Sequence, residues 1–237
     1  MRNSHRIAAI LPAAGSGSRL GAVRPKQFIE LAGKSILLRS LEAFQYADEV
    51  DEILVSVAGT AVEHVRRLVE ANRLNKVLHI VAGGPRRQDS VWNALQKLEG
   101  SDVRVVLIHD AARPFVSAEL IRSVCEAAET FGAAIPALPV TDTIKRVSPE
   151  RFIDGTIDRS TLAMAQTPQG FRLDILLNAF RAALKDSYTG TDEASLLEHL
   201  GMRVKIIAGE KENMKITDPE DLAAAALIAD RLDHPGG

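Results

Sequence analysis

Apolar runs that stay unbroken instead of alternating with polar residues are the strongest constraint on how this chain folds. Most of the strand candidates, Ile7–Leu11, Glu52–Val57, Val77–Val81, Val103–His109, Ala133–Val140 and Val204–Ala208, are of this kind. A strand with one wet face alternates, whereas one that is apolar throughout has both faces covered. Helical patterns separate the runs, at Ile36–Tyr46, Ala61–Arg73, Ser90–Leu98, Ala118–Phe131, Asp174–Lys185, Glu193–Leu200 and Pro219–Leu232. The last opens on Thr217-Asp218-Pro219-Glu220, a cap residue followed by the proline and acid that suit a first helical turn. Covered strands alternating with helices predict an α/β fold with a doubly wound, mostly parallel sheet. The 237 residues suit a single domain, 1–237, with a core large enough to need no disulfide or metal.

Residues 141–160 break this rhythm. The segment TDTIKRVSPERFIDGTIDRS places short alternating runs on either side of Ser148-Pro149-Glu150-Arg151, which predicts a β-hairpin arm. It is too polar for a core and too regular for a disordered loop, so its natural partner is a second subunit.

Composition narrows the function class. Apolar residues make up 46% and charged residues 25%, the balance of a soluble globular protein. A net charge of −2 argues against a nucleic-acid partner, so any basic cluster is local and suited to small anions. The longest apolar candidates, Ile7–Ala14 and Ala223–Ala229, are too short to span a membrane. The first also breaks at Pro12, unlike a secretory signal. The single cysteine, Cys125, lies on a helical core stripe and fits a reducing compartment, so a cytoplasmic location is expected.

The chemistry gathers where strands end. The first run empties into Pro12-Ala13-Ala14-Gly15-Ser16-Gly17-Ser18-Arg19-Leu20-Gly21, followed by Arg24-Pro25-Lys26-Gln27. Glycines here let backbone N–H groups turn toward a phosphate chain. A Walker A loop would end in Gly-Lys-Ser/Thr, and a dinucleotide fingerprint would have glycine where Leu20 stands and an acid after the second strand. Neither holds. What remains is a glycine-rich loop delivering Arg19 and Lys26, cations able to counter charge on a reacting phosphoryl group. It lies at the carboxyl end of a strand, where open α/β sheets bind ligands.

A second strand ends in His109-Asp110-Ala111-Ala112-Arg113. Ser117 is the better cap for the next helix, which frees Asp110 to hold Mg²⁺, directly or through water. His109 reads as a satisfied structural histidine, and no histidine has metal-ligand spacing with another or with Cys125. Three clusters add to the set: the turn Gly83-Gly84-Pro85-Arg86-Arg87-Gln88-Asp89-Ser90, the pair Asp158-Arg159 at the end of the arm, and a lysine in Gly209–Thr217.

The ordered set PAAGSGSRL, PKQF, GGPRRQDSV, HDAARPF, PVTDTIKRV, TIDRSTLAMAQTPQGF, TDEASLLEHLG and NMKITDPEDL resembles the 2-C-methyl-D-erythritol 4-phosphate cytidylyltransferase family over nearly the whole chain. The first motif is shared by many sugar nucleotidyltransferases; the ordered set is far more specific. The resemblance implies a Rossmann-like nucleotidyltransferase fold. It also implies in-line attack by the substrate's phosphate on the α-phosphorus of CTP, assisted by Mg²⁺. Arg19, Lys26, Arg159 and Lys215 are then the catalytic cations. Pro12, Ala13, Ala14, Gly15, Gly84, Ser90, Asp110 and Ala111 match nucleotide-binding positions. Arg113, Thr143 and Thr167 fall in the pocket for methylerythritol phosphate. Arg159 and Thr143 reach their site across a homodimer interface on the arm. Pro85 departs from the polar residue common at its position, so a contact with cytosine there falls to its carbonyl or to Arg86 or Arg87.

Ribitol-5-phosphate cytidylyltransferases share the loop and the chemistry but resemble this chain less in the arm and in Thr191–Ser195. A nicotinamide-dependent oxidoreductase is disfavoured by Leu20 and the missing acid. A non-catalytic nucleotide sensor has no need to keep Lys26, Arg159 and Lys215 together.

Overall fold

Ala8, Ala9, Ile10 and Leu11 are all fully buried, and this places β1 (Arg6–Ala13) inside the sheet. The computed structural model describes residues 5–15 and 25–234. The side chains of β1 divide between the faces: Ile7, Ala9, Leu11 and Ala13 enter one apolar cluster, and Ala8 and Ile10 enter the other. An alternating pattern would have put polar groups into one of those clusters, which is why the run is continuous.

After a small hairpin of β2 (Glu30–Leu31) and β3 (Lys34–Ser35), the chain alternates α1 (Ile36–Gln45), β4 (Glu52–Val57), α2 (Val62–Ala71), β5 (Val77–Ala82), α3 (Arg87–Leu95), β6 (Val103–Ile108), α4 (Ala118–Phe131) and β7 (Ala133–Pro139). Then come β8 (Ile144–Val147), β9 (Ile153–Ile157), β10 (Ala163–Ala165), β11 (Gln169–Arg172), α5 (Leu173–Lys185), α6 (Glu193–His199), β12 (Lys205–Ala208) and α7 (Pro219–Asp233). The main sheet runs β10-β7-β11-β6-β1-β4-β5, with β12 also paired to β7. β1, β4, β5 and β6 pair in parallel, as does β12 with β7. The expected α/β fold with a mostly parallel sheet is therefore present.

Several elements differ from the sequence reading. β2, β3, β10 and β11 have no counterpart there, and of these β11 lies between β6 and β7, antiparallel to both. It is short, has polar ends and contains Gly170, so it carries little strand signal. A Cβ on Gly170 would press on Val124, Ala128 and Leu107, so glycine lets α4 lie close against the sheet here. α3 begins at Arg87 instead of Ser90, because the Asp89 carboxylate accepts from the Arg86 backbone N–H at 3.1 Å and closes the first turn early.

Other local expectations are met. Ser117 accepts from the Leu120 N–H at 2.9 Å and caps α4, and Asp218 accepts from the Asp221 N–H at 2.9 Å and caps α7. Within 141–160, β8 and β9 pair antiparallel around a turn at Ser148–Arg151, and Arg151 takes a left-handed φ of 67°. Buried Arg39 donates to the Leu31 carbonyl and pairs with Asp233 at 2.6 Å, which pins the end of α7 beside β2.

Candidate active site

β1, β5 and β6 deliver their carboxyl ends to one edge of the sheet, and a cleft opens there. It is lined by Pro12, Ala13, Ala14 and Gly15 after β1, by Gly84, Pro85, Arg86, Arg87 and Ser90 around the start of α3, and by Asp110 and Ala111 after β6. All eight positions matched to nucleotide binding lie on this cleft. Lys26 and Lys215 line it as well.

The two turns that shape the cleft touch closely. A Cβ on Gly83 would collide with Ala14 and come within 2.8 Å of Ser90 Oγ, and one on Gly84 would collide with Asp89. Ser90 Oγ in turn accepts from the Gly84 N–H at 3.0 Å. These glycines are needed for close approach of backbone to side chain. Gln27, buried beside Lys26, donates to the Ala13 carbonyl at 2.8 Å and ties the far end of the glycine-rich loop back to β1.

Lys26 comes from a single 3₁₀ turn, Lys26–Phe28, and its Nζ donates to the Ile216 carbonyl at 3.0 Å. Ile216 directly follows Lys215, so the two lysines enter the cleft side by side. Lys215 Nζ pairs with Asp110 Oδ2 at 2.6 Å. The other carboxylate oxygen accepts from Arg87 Nε at 2.8 Å, and Arg87 Nη1 reaches the buried Glu193 at 2.8 Å. Burial would push the Asp110 carboxyl up, but the Arg87 and Lys215 cations outweigh it and hold it well below the usual carboxylate range.

Each oxygen of the Asp110 carboxylate thus carries a cationic partner in the free chain. Among the described residues no group of three His, Cys, Asp or Glu side chains is placed to hold a metal ion. Arg86 and Arg87 are committed too, Arg86 to Asp89 at 2.6 Å and to Thr189 at 2.6 Å.

The expected sugar-phosphate residues fall into two groups. Thr167 and Arg113 lie close behind Asp110: Thr167 Oγ1 accepts from the Asp110 N–H at 3.0 Å, and Arg113 Nη1 donates to the Asn213 carbonyl at 2.7 Å. Thr143 is exposed on the arm, and Arg159 follows β9, where its Nη1 donates to the Thr141 carbonyl at 2.6 Å. Neither lines the cleft of its own chain. Arg19 lies outside the described residues.

Glu193, Gln166 and Asn213 support the site, but their sequence pattern assigns them no such role, and that of Arg87 gives no sign of its pairing with Asp110 and Glu193. Asn213 Nδ2 donates to the Thr167 carbonyl at 2.7 Å, and Gln166 Nε2 donates to the Glu210 carbonyl at 2.8 Å. These bonds anchor the segment that carries Lys215. Only the crowding of polar residues in Gly209–Thr217 hints at it.

The family model described as 2-C-methyl-D-erythritol 4-phosphate cytidylyltransferase matches residues 7–231. The chain belongs to that family. It is 45% identical to the cytidylyltransferase of that name from Geobacillus thermodenitrificans (strain NG80-2), over 94% of this chain and 97% of the relative. It is 44% identical to the one from Symbiobacterium thermophilum, over 94% of this chain and 92% of the relative. Among solved structures, the 2-C-methyl-D-erythritol 4-phosphate cytidylyltransferase from Thermus thermophilus superposes with a TM-score of 0.78 at 34% identity, covering 95% of this chain and 99% of that one. Membership brings with it the cytidylyltransferase activity that the motifs led us to expect.

Gly83→Ala should force the Ala14 and Ser90 walls apart and raise the KM for CTP about tenfold or more, with a smaller effect on kcat, as expected for lost uniform binding. Steady-state kinetics at varied CTP check this, and an unchanged KM would mean the close packing is irrelevant to the nucleotide.

Proposed function

We propose that the chain transfers CMP from CTP to 2-C-methyl-D-erythritol 4-phosphate, giving 4-diphosphocytidyl-2-C-methyl-D-erythritol and pyrophosphate. A phosphate oxygen of the sugar attacks the α-phosphorus in line. The bond from that phosphorus to the bridging oxygen breaks, and pyrophosphate leaves with the electron pair. The nucleophile is already an anion, so no general base is required and catalysis is positioning plus charge stabilisation. The observation that carries this reading is the meeting of Lys26 and Lys215 at one cleft, the first bonded at 3.0 Å to the carbonyl next to the second. Arg19, from the same loop as Lys26, is proposed as a third cation at the reacting phosphorus.

Cytosine selection is assigned to backbone groups of the Gly84-Pro85 turn, since the side chains of Arg86 and Arg87 are held by carboxylates. Mg²⁺ is proposed to enter with CTP as the counter-ion of its triphosphate, since Asp110 is already paired on both oxygens. The arm is proposed to bring Arg159 and Thr143 to the cleft of a second copy in a homodimer. Its exposed Val147, Phe152 and Ile153, 59%, 74% and 66% accessible, supply apolar surface for that contact. No helix among the described residues is long and apolar enough to cross a membrane. We place the enzyme in the cytoplasm, with no nucleic-acid partner.

Turnover of CTP with each sugar phosphate tests the reaction. Methylerythritol phosphate should be used far faster than ribitol 5-phosphate, and chelating divalent cations should abolish turnover. A preference for ribitol phosphate would overturn the assignment. In the same assay Lys26→Ala should lower kcat about a hundredfold or more, the range for loss of an electrostatic stabiliser. An unchanged kcat removes Lys26 from the mechanism.

The arm has its own test. Mixing Lys26→Ala with Arg159→Ala subunits makes hybrid dimers in which one site pairs an intact cleft with an intact arm. Activity should recover to about a quarter of the unmutated level at equal mixing if the sites are independent. No recovery despite demonstrated subunit exchange would place Arg159 in the cleft of its own chain.

A further inference from the structure

His109 directly follows β6 and is completely buried, with its ring centroid 4.9 Å from that of Phe44. Its Nε2 lies 3.0 Å from the Arg113 carbonyl oxygen, and its Nδ1 lies 3.1 Å from Thr167 Oγ1. A backbone carbonyl only accepts, so Nε2 bears the proton and Nδ1 is left as the acceptor. The Thr167 hydroxyl therefore donates to Nδ1 while its oxygen accepts from the Asp110 N–H. The direction of every bond follows: Asp110 N–H to Thr167, Thr167 O–H to His109, and His109 Nε2–H to Arg113.

This chain grips both ends of the turn that carries the functional residues. The Asp110 backbone is fixed through Thr167 and the Arg113 carbonyl directly, while the Arg113 N–H closes onto the Asp110 carbonyl at 2.9 Å. The orientation of the Asp110 carboxylate decides where Lys215 and Arg87 lie. A protonated ring would place two donors on Thr167 Oγ1 and leave the hydroxyl proton without its acceptor. Burial opposes that form and pushes the imidazole down to about 4; of the charged groups nearby, Asp110 favours the cation and Arg113 disfavours it.

We propose that neutral His109 is a positioning residue for cytidylyl transfer, acting through Thr167 and the Asp110–Arg113 turn, and that the Thr167 hydroxyl proton points at this ring and not at the sugar phosphate. Thr167 then orders the site from behind, and the sugar-phosphate role that the resemblance implies falls to Arg113, whose Nη1 is steadied by the Asn213 carbonyl at 2.7 Å. The inference rests on the cytidylyltransferase reading.

Two substitutions separate the ring nitrogens. His109→Gln keeps a donor near the Nε2 position but offers Thr167 no acceptor. His109→Asn keeps an acceptor near Nδ1 but no donor for Arg113. His109→Gln and Thr167→Val should each lower kcat about tenfold, the scale of one buried hydrogen bond. Their combination should be no worse than either alone, because both break the same link. His109→Asn should instead raise the KM for the sugar phosphate with kcat nearly kept. Multiplying effects in the double variant, or a folded His109→Gln with parental kinetics, overturn the proposal. If the His109 variants fail to fold, Thr167→Ser decides: it should restore the kcat lost in Thr167→Val, and full activity of Thr167→Val refutes the link. An unmutated chain inert toward CTP and methylerythritol phosphate would instead refute the activity, and the inference with it.

Discussion

A buried carboxylate held between two cations is the interaction on which the site depends. Asp110 meets Arg87 on one oxygen and Lys215 on the other, and Arg87 continues to Glu193. Removing charges from water is costly unless each finds a partner, so the four groups form a closed set of two anions and two cations. They come from the end of β6, the first turns of α3 and α6, and the segment between β12 and α7. One carboxylate thereby fixes the mutual placement of elements far apart in the chain. Lys215 also arrives at the cleft already oriented, an arrangement suited to stabilising charge without reorganisation.

Antiparallel β11 makes this arrangement possible. By inserting between β6 and β7 it brings Thr167, just before it, against the end of β6. Its first residue, Gln169, donates to Asp192 at 2.7 Å and accepts from the Ala194 N–H at 3.1 Å, which seats the start of α6 and with it Glu193. A purely parallel sheet would leave that edge of β6 to a helix crossover, with no polar segment so close to Asp110. The close packing of α4 over Gly170 keeps the insertion thin enough for both faces to remain covered.

The arm follows different physics. Its strands pair only with each other, and its apolar residues lie largely in solvent within one chain. Isolated two-stranded hairpins are marginal in water, and this is the physical ground for the proposed contact of the arm with a second copy.

Much of the frame is written in local pattern. Continuous apolar runs state that strands are covered on both faces, Ser117 and Asp218 announce helix starts, and the alternation around Ser148–Arg151 announces a hairpin. Each depends on neighbours in the sequence, where period and capping chemistry act directly. The glycine-rich turns, Lys26 and the stretch after β6 are legible for the same reason, since they follow recognisable strands. Tertiary structure alone decided that a four-residue polar segment is an inner strand, that Asp110 is closed by Arg87 and Lys215, and that His109 faces Thr167. Those outcomes rest on pairing between distant residues, and a charge or hydroxyl does not reveal its partner until burial forces it to find one.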